Sequence, residues 1–169
     1  MSGVHSCPSV AGAFLMARAA LVAFYPDAIA QRGSIAVHMP APEDHGTTGV
    51  VAQVLTLLTG AAADNGFKGL GGRFARNGLL EFAPAENGAA VTFQRVDDGA
   101  AVSIELDFVS VPPDPQLRPL LMAIMHGSAA AGQCNAFAAV WQDRVRRLLL
   151  EHADDPVVVR LRRHSSPVT

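Results

Sequence analysis

The sequence predicts a single α+β domain over residues 1–169, in which a mixed, largely antiparallel sheet packs against helices. A chain of this length suits one domain with its own hydrophobic core. Apolar residues recur at helical spacing near both ends of the chain and alternate with polar residues in its middle third. No internal repeat or low-complexity linker divides the chain. The expected core therefore runs helix, strand, helix and then three strands.

The first half of the chain gives the first three elements. Pro8 is typical of the first turn of a helix, because its missing N–H costs nothing there, and the apolar face that follows continues to "YPD". The β-branched run "GSIAVHM", between Gly33 and Pro40, predicts a strand. The stretch "VVAQVLTLLTG" predicts a second, largely buried helix that ends at Gly60.

Three alternating runs follow, "RFARNGLLEFAP", "AAVTFQRV" and "AAVSIELDFVSV". The segments between them, "AENG" and "DDG", are typical of hairpin turns, so the three runs predict an antiparallel meander. Two helices are predicted next, over Gln116–Met125 and Gln133–His152, and "PVVVRLRR" predicts a terminal strand.

Composition restricts the classes of partner. Half of the residues are hydrophobic and 17% are charged, which is more apolar than a lone monomer of this size usually is. A homodimer interface would cover the excess. The net charge is −2 and no long basic run occurs, so nucleic acid is not an expected partner.

Cysteine usage and the N-terminal segment bear on location. Two cysteines form at most one disulfide, which favours reduced thiols and a cytoplasmic protein. Arg18 interrupts the apolar stretch after Val10, and no Lys or Arg precedes that stretch. This pattern argues against both a signal peptide and a membrane span.

The segment "HSCP" places His5 and Cys7 two residues apart at the start of the first helix. A neutral imidazole and a thiolate are both good ligands for zinc and related divalent ions, and this spacing lets both reach one ion. The positive end of the helix dipole also favours a thiolate there. Alternatively, His5 is a terminal residue without a role and Cys7 packs as a small hydrophobe.

A second cluster lies in "HMPAPEDHG", between the first strand and the second helix, and contains His38, Glu43, Asp44 and His45. His45, just before the second helix, would approach the first helix if the two helices pack together. Three ligands with an open position are typical of catalytic zinc, with Glu43 or Asp44 as a base, whereas four indicate a structural site. The alternative is a solvated turn in which Asp44 caps the second helix.

Two further segments have weaker signals. The glycine-rich "NGFKGLGGRFAR" lacks the Gly-Lys-Ser/Thr of a phosphate loop and the third glycine of a dinucleotide fingerprint, which favours a closely packed turn over an anion-binding loop. His126, followed by Gly127, is typical of a helix C-cap. Alternatively, it binds a metal, or Met125 and His126 supply an axial ligand to haem.

The segment "HSCPSVAGAFLMARAAL" resembles the opening of the FmdE-like family, proteins related to formylmethanofuran dehydrogenase, in which His-x-Cys-Pro-Gly leads into an apolar helix. "VLTLLTGAAADNGFKGLGGRFARNGLLEF" is similar to that family's second helix and glycine-rich turn, and "FAAVWQDRVRRLLL" to its closing helix. The resemblance covers most of the chain. It implies an α+β sandwich with a mixed sheet, a homodimer, and zinc bound by His5 and Cys7.

Several positions depart from the family pattern. Gly3 stands where members often have a first histidine, Ser9 replaces the usual glycine, and a cysteine common near the second helix is absent. His45 is the substitute expected for that cysteine. The absence of a cysteine-rich zinc-ribbon tail argues against partnership with a large redox complex.

The leading hypothesis is therefore a cytoplasmic, homodimeric metal-binding protein in which His5, Cys7 and His45 hold zinc or another divalent ion, with a small-molecule substrate if the site is catalytic. A second hypothesis is a non-catalytic carrier or sensor that binds haem or a metal–tetrapyrrole in an apolar dimer pocket. A third is a structural protein without a metal. No membrane partner is expected.

Overall fold

The computed structural model describes residues 6–164, and residues 1–5 and 165–169 lie outside the described part. The elements in chain order are α1 (Pro8–Phe24), β1 (Ile35–Met39), α2 (Thr48–Thr59), β2 (Leu80–Phe82), β3 (Val91–Arg95), β4 (Ala101–Leu106), α3 (Leu117–Met125), α4 (Ala131–Arg146) and β5 (Val159–His164). The predicted α+β class is confirmed. None of the helices in residues 6–164 combines the length and apolar character needed to cross a membrane.

The five strands form one sheet in the order β2-β1-β3-β4-β5. β1 and β2 are parallel, and the other neighbouring strands are antiparallel, so the predicted mixed, largely antiparallel sheet is confirmed. The predicted meander of three strands is wrong, because β2 lies on the far side of β1 from β3. Only β3 and β4 form a hairpin, around the "DDG" turn.

The segment between β2 and β3, which includes "AENG", passes over the end of β1 instead of turning back as a hairpin. The Ala83 N–H donates to the Met39 carbonyl (3.1 Å), and the Asn87 N–H donates to the Pro40 carbonyl (2.7 Å). β1 is therefore held between β2 and β3 by strand pairing and by this overlying segment.

α1 and α2 pack together on one face of the sheet. Ile35, Val37 and Met39 point to that face and are buried, as the alternation in β1 predicts. The Gly33 N–H, just before β1, donates to the carbonyl of Thr59 at the end of α2 (2.8 Å), so α2 runs antiparallel to β1.

α1 runs in the same direction as α2. Tyr25, which follows α1, lies 5.2 Å from the guanidinium of Arg95, and Arg95 is paired with Ile35 at the start of β1. Both helices therefore begin at the end of the sheet where β1 finishes. α1 lies close to the sheet at Gly12, where a Cβ atom would be 2.6 Å from the Leu106 side chain.

The core is formed by the sheet, α1 and α2, to which the end of α4 and the turn after it add Val145 and Leu148. Its largest fully buried side chains include Phe93, Leu15, Ile35, Leu55 and Ile104. Burial of each such side chain contributes roughly 1.5–3 kcal/mol relative to exposure.

α3 and α4 form a helical hairpin beside this core. No residue of α3 is buried, and its main tertiary contacts are with α4. α4 starts two residues before the predicted Gln133 and continues past Arg146 as one π-helical turn, Arg147–Glu151. The predicted terminal strand is confirmed as β5, which forms one edge of the sheet.

Candidate functional site

Cys7 occupies the N-cap of α1. Its backbone is extended (φ −127°, ψ 161°), and its carbonyl accepts the Ala11 N–H at 3.0 Å. The side chain is half-buried, and both Cys7 and the exposed Cys134 are free thiols. Pro8 begins the helix, as predicted. His5 lies outside the described residues, so its position relative to Cys7 stays a prediction.

The backbone beside Cys7 is fixed by α4. Trp141 Nε1 donates to the Ser6 carbonyl at 2.7 Å, and Gln142 Nε2 donates to the same oxygen at 2.9 Å. Ser6 is the residue between His5 and Cys7. The carbonyl that separates the two predicted ligands therefore accepts two side-chain hydrogen bonds from a helix more than 130 residues away in sequence.

His45 lies just before α2, as predicted. The turn is closed by the His45 N–H donating to the Pro42 carbonyl (3.1 Å) and by the Thr48 N–H donating to the His45 carbonyl (3.0 Å). The imidazole is exposed, and its Nε2 lies 3.8 Å from a carboxylate oxygen of Glu86. Because α1 and α2 are parallel neighbours, Cys7 and His45 stand at the same end of the sheet.

Glu86 was missed as a candidate from the sequence. It lies in the segment that passes over the end of β1, which was interpreted as an ordinary hairpin turn. Once that segment is placed across β1, its acidic residue falls beside the start of α2. The position of Glu86 beside α2 follows from the strand order, which no local sequence pattern indicates.

Glu43 and Asp44 lie in the same turn as His45, and both are exposed. The alternative role of Asp44 as the cap of α2 is wrong, because Thr47 occupies the N-cap and no side-chain hydrogen bond caps the helix. The Glu43 carbonyl packs against the first turn of α2, where a Cβ at Gly49 would lie 2.9 Å from it. The Glu43 side chain lines a hollow of about 420 Å³ between α2 and β2.

His38 is separated from His45 by the sheet itself. It alternates with the buried Val37 and Met39 and so points to the opposite face, where its Nδ1 lies 3.2 Å from a carboxylate oxygen of Glu81. Its Nε2 is buried and has no hydrogen-bond partner among the described residues. The four residues grouped by sequence proximity are therefore divided between two faces of the molecule.

The face that carries His38 has a row of polar residues in register across all five strands: Glu81, His38, Thr92, Ser103 and Arg162. Thr92 Oγ1 and Ser103 Oγ are 2.7 Å apart, and Ser103 Oγ lies 2.7 Å from His164 Nε2. The period-two alternation of β3 and β4 predicts that Thr92 and Ser103 share a face. It does not predict which strands bring His38 and His164 to them.

The glycine-rich segment leads into β2 and packs closely at Gly66 and Gly69, as favoured from the sequence, whereas Gly71 and Gly72 have open space around them. A Cβ at Gly66 would lie 2.8 Å from the Asn77 backbone, and one at Gly69 (φ 87°) would lie 2.4 Å from the Arg73 carbonyl. Phe74 has a positive φ of 63° and an exposed side chain. The anion-binding alternative for this turn stays untested.

His126 is the C-cap of α3, and Gly127 follows it with φ 69°, which confirms the predicted cap. The side chains of Met125 and His126 are both exposed. A haem bound to either of them would therefore need a second chain to cover it.

Within residues 6–164, no three or more His, Cys, Asp and Glu side chains come together as a group that could hold a metal ion. His5, the third predicted ligand, is outside that range. A scan of the sequence against protein-family models gives no match, and a search of curated proteins gives no significant match either. The resemblance to the FmdE-like family therefore stays a prediction based on the quoted segments.

Proposed function

We propose that this protein is a cytoplasmic, FmdE-like homodimer that binds one divalent metal ion, zinc, per chain through His5, Cys7 and His45. The observation that carries the proposal is the pair of hydrogen bonds from Trp141 and Gln142 to the Ser6 carbonyl. A terminal histidine and cysteine without a role would not require the backbone between them to be held by two donors from a distant helix.

The fixed Ser6 carbonyl favours metal binding for an entropic reason. Ordering one backbone residue costs roughly 1–2 kcal/mol, and that cost is already met at Ser6 before any ion binds. The half-buried Cys7 also occupies the N-cap of α1, so its side chain stands at the start of that helix, beside the fixed Ser6 carbonyl.

His45 and Glu86 support the third ligand position. Histidines that bind metals commonly pair their other ring nitrogen with a carboxylate, which orients the ring and strengthens the ligand. Here Nε2 of His45 faces Glu86, which leaves Nδ1 as the nitrogen for the metal. A bound ion with one open position would polarise a carbonyl group or activate a water molecule. Glu43 and Asp44, in the same turn, are the candidate bases.

Elemental analysis of the purified protein tests the site. We expect about one equivalent of zinc per chain in the wild type, and its loss in His5→Ala, Cys7→Ser and His45→Ala. Cys134→Ser and His126→Ala are matched controls, because they remove an exposed thiol and an exposed imidazole elsewhere. Equal metal content in all six proteins would refute the site.

Trp141→Phe tests the role of the fixed carbonyl separately. It keeps an aromatic ring near Phe137, whose ring centroid is 5.5 Å from that of Trp141, and removes the indole N–H donor with one ring of the indole. Loss of one such hydrogen bond corresponds to weaker zinc binding by up to about tenfold. Unchanged zinc affinity would show that Ser6 is fixed for stability alone.

The homodimer is proposed to form through α3. This helix is almost entirely apolar, yet none of its residues is buried, and Met122 and Met125 are exposed. A second copy of α3 would cover both methionines, in line with the high apolar content of the whole chain. We expect a dimer by sedimentation equilibrium that dissociates when Met122→Glu and Met125→Glu are combined.

Ile29→Glu is the control for that experiment, since Ile29 is 93% exposed but lies between α1 and β1. A monomeric wild type, or a dimer unaffected by the two methionine substitutions, would contradict the α3 interface.

The alternative function is a haem carrier, favoured by the position of Met125 and His126 at the end of the proposed dimer helix. It predicts a strong visible absorption band on addition of haem, which weakens in His126→Ala. Bound zinc gives no such band, so one spectrum separates the two functions.

A further inference from the structure

β5 is an edge strand of the sheet. Its six residues pair with β4 along one side, from Val159 opposite Leu106 to His164 opposite Ala101. On its other side, no strand of residues 6–164 is paired with it. The outward N–H and C=O groups of an edge strand form a template for an added strand.

An apolar groove runs beside this edge, between β5 and the second half of α1. It has a volume of about 460 Å³, and its walls include Ala19, Val22 and Ala23 from α1 and Val159 and Leu161 from β5. The Val22 side chain is 59% exposed there. An added strand would place every second side chain over this groove, because successive side chains of a strand point to opposite faces.

The opposite face of β5 carries two arginines. Arg160 and Arg162 alternate with the groove-facing residues, and both are exposed. Arg160 Nη2 donates to Asp107 Oδ2 at 2.5 Å, whereas Arg162 has no ion-pair partner among the described residues. Glu105 is the register partner of Arg160 and is the other acidic group on this face beside β5. Arg162 is therefore the cation available to an added strand.

The charges on the groove side are already partnered. Arg18 holds Asp154 at 2.6 Å, and this hydrogen bond lowers the pKa of the Asp154 carboxyl group. Arg163 Nη1 donates to the Ala23 carbonyl at 3.3 Å and lies across one end of the groove. The groove itself thus offers an apolar surface between satisfied polar groups.

We propose that the β5 edge is a docking site for an extended peptide segment of another protein, in which apolar side chains facing the α1 groove alternate with acidic side chains facing Arg162. Backbone pairing with β5 would supply affinity, and the two faces would supply specificity. This inference is independent of the proposed metal site, because Cys7 and His45 lie at the ends of α1 and α2 where those helices begin.

Repulsion between like charges disfavours the pairing of β5 with a second copy of β5. Antiparallel pairing of two β5 strands centred on Arg162 would bring Arg162 opposite its own counterpart. Like charges directly opposite in a sheet are destabilising. Charged side chains also protect an edge strand from unwanted pairing, but that protective role does not call for an apolar groove beside the strand.

Fluorescence anisotropy with a labelled, blocked heptapeptide of alternating valine and glutamate tests the proposal, and the same peptide with lysine in place of glutamate is the matched probe. We expect the glutamate peptide to bind and the lysine peptide not to bind. Val22→Glu, in the groove, and Arg162→Glu, on the opposite face, should each weaken binding at least about tenfold.

Val50→Glu and Arg118→Glu are the controls, because they place the same charges on exposed positions of α2 and α3. Circular dichroism checks that every variant is folded. Equal binding of both peptides, or an effect of Arg162→Glu without one of Val22→Glu, would overturn the proposal in favour of non-specific charge attraction. Sedimentation of the wild type as a dimer that Val22→Glu dissociates would overturn it in favour of a self-interface.

Discussion

The sheet with α1 and α2 differs from α3 in where its apolar residues lie. In the first region, side chains such as Phe93, Ile35 and Leu55 have no exposed surface. In the second, the nine residues of α3 are mostly apolar and none is buried. Apolar spacing in a sequence therefore indicates that a helix has a face to cover, but it does not indicate whether the same chain covers it.

Phe93→Ala gives the largest expected effect on stability. Phe93 is 0% exposed in the centre of the sheet, and truncation of a buried Phe costs about 3–5 kcal/mol through lost burial and a residual cavity. Met122→Ala in α3 should cost no more than about 0.5 kcal/mol in the monomer. Urea denaturation measures the free energy of unfolding of both variants. Similar losses in the two would contradict the expected difference between the buried core and α3.

Thr59→Val tests how much a buried polar side chain contributes to the stability of the first region. Thr59 is buried at the end of α2, where its Oγ1 donates to the Leu55 carbonyl (2.8 Å) and accepts the Ala61 N–H (3.1 Å). Valine keeps the shape and leaves the buried Ala61 N–H without that acceptor, which costs about 1–3 kcal/mol. Thr56→Val, on a half-buried position of the same helix, is the control and should change stability by less than about 0.5 kcal/mol.

A smaller effect on stability is expected at low pH, and it comes from the turn that joins α4 to β5. Asp155 accepts hydrogen bonds from His152 Nδ1 (2.9 Å) and the Val157 N–H (2.9 Å), and these lower the pKa of the Asp155 carboxyl group. A lowered folded-state pKa adds stability at pH values above the ordinary aspartate value of about 4, and that stability is lost as the pH falls through the lower, folded-state value.

Asp155→Asn should therefore reduce the loss of stability between pH 6 and pH 3, as measured by urea midpoints at about those two values. Asp64→Asn is the control, since no hydrogen bond to the Asp64 side chain is seen in the described residues. An unchanged pH dependence in Asp155→Asn would show that other carboxylates determine the acid response.

Local sequence patterns predicted where helices and strands lie better than they predicted which strands pair with each other in the sheet. Pro8, Gly60 and Gly127 marked helix ends correctly, because their effects depend only on the backbone next to them. β2 was paired wrongly, because an alternating run fits a parallel or an antiparallel neighbour equally well. Its three residues, Leu80–Phe82, also give the shortest pattern of the five strands.

The candidate site shows the same limit. The sequence placed Cys7 at the start of α1 and His45 just before α2, since each lies next to a helix start. It grouped His38 with His45 across only seven residues, although one strand position decides which face a side chain occupies. The contributions of Trp141 and Glu86 depend on contacts between segments far apart in sequence, and no local pattern predicts those.

The segment that passes over the end of β1 also bears on how the protein folds. β3 and β4 are joined by a short turn, so their hairpin forms on the microsecond scale, at about 1–10 μs. β2 and β3 are close in sequence but do not pair, because β1 lies between them and Met39 and Pro40 accept hydrogen bonds from the overlying segment. Pairing of β1 with β2 and β3 joins segments that are far apart in sequence, and contacts of that kind generally slow folding.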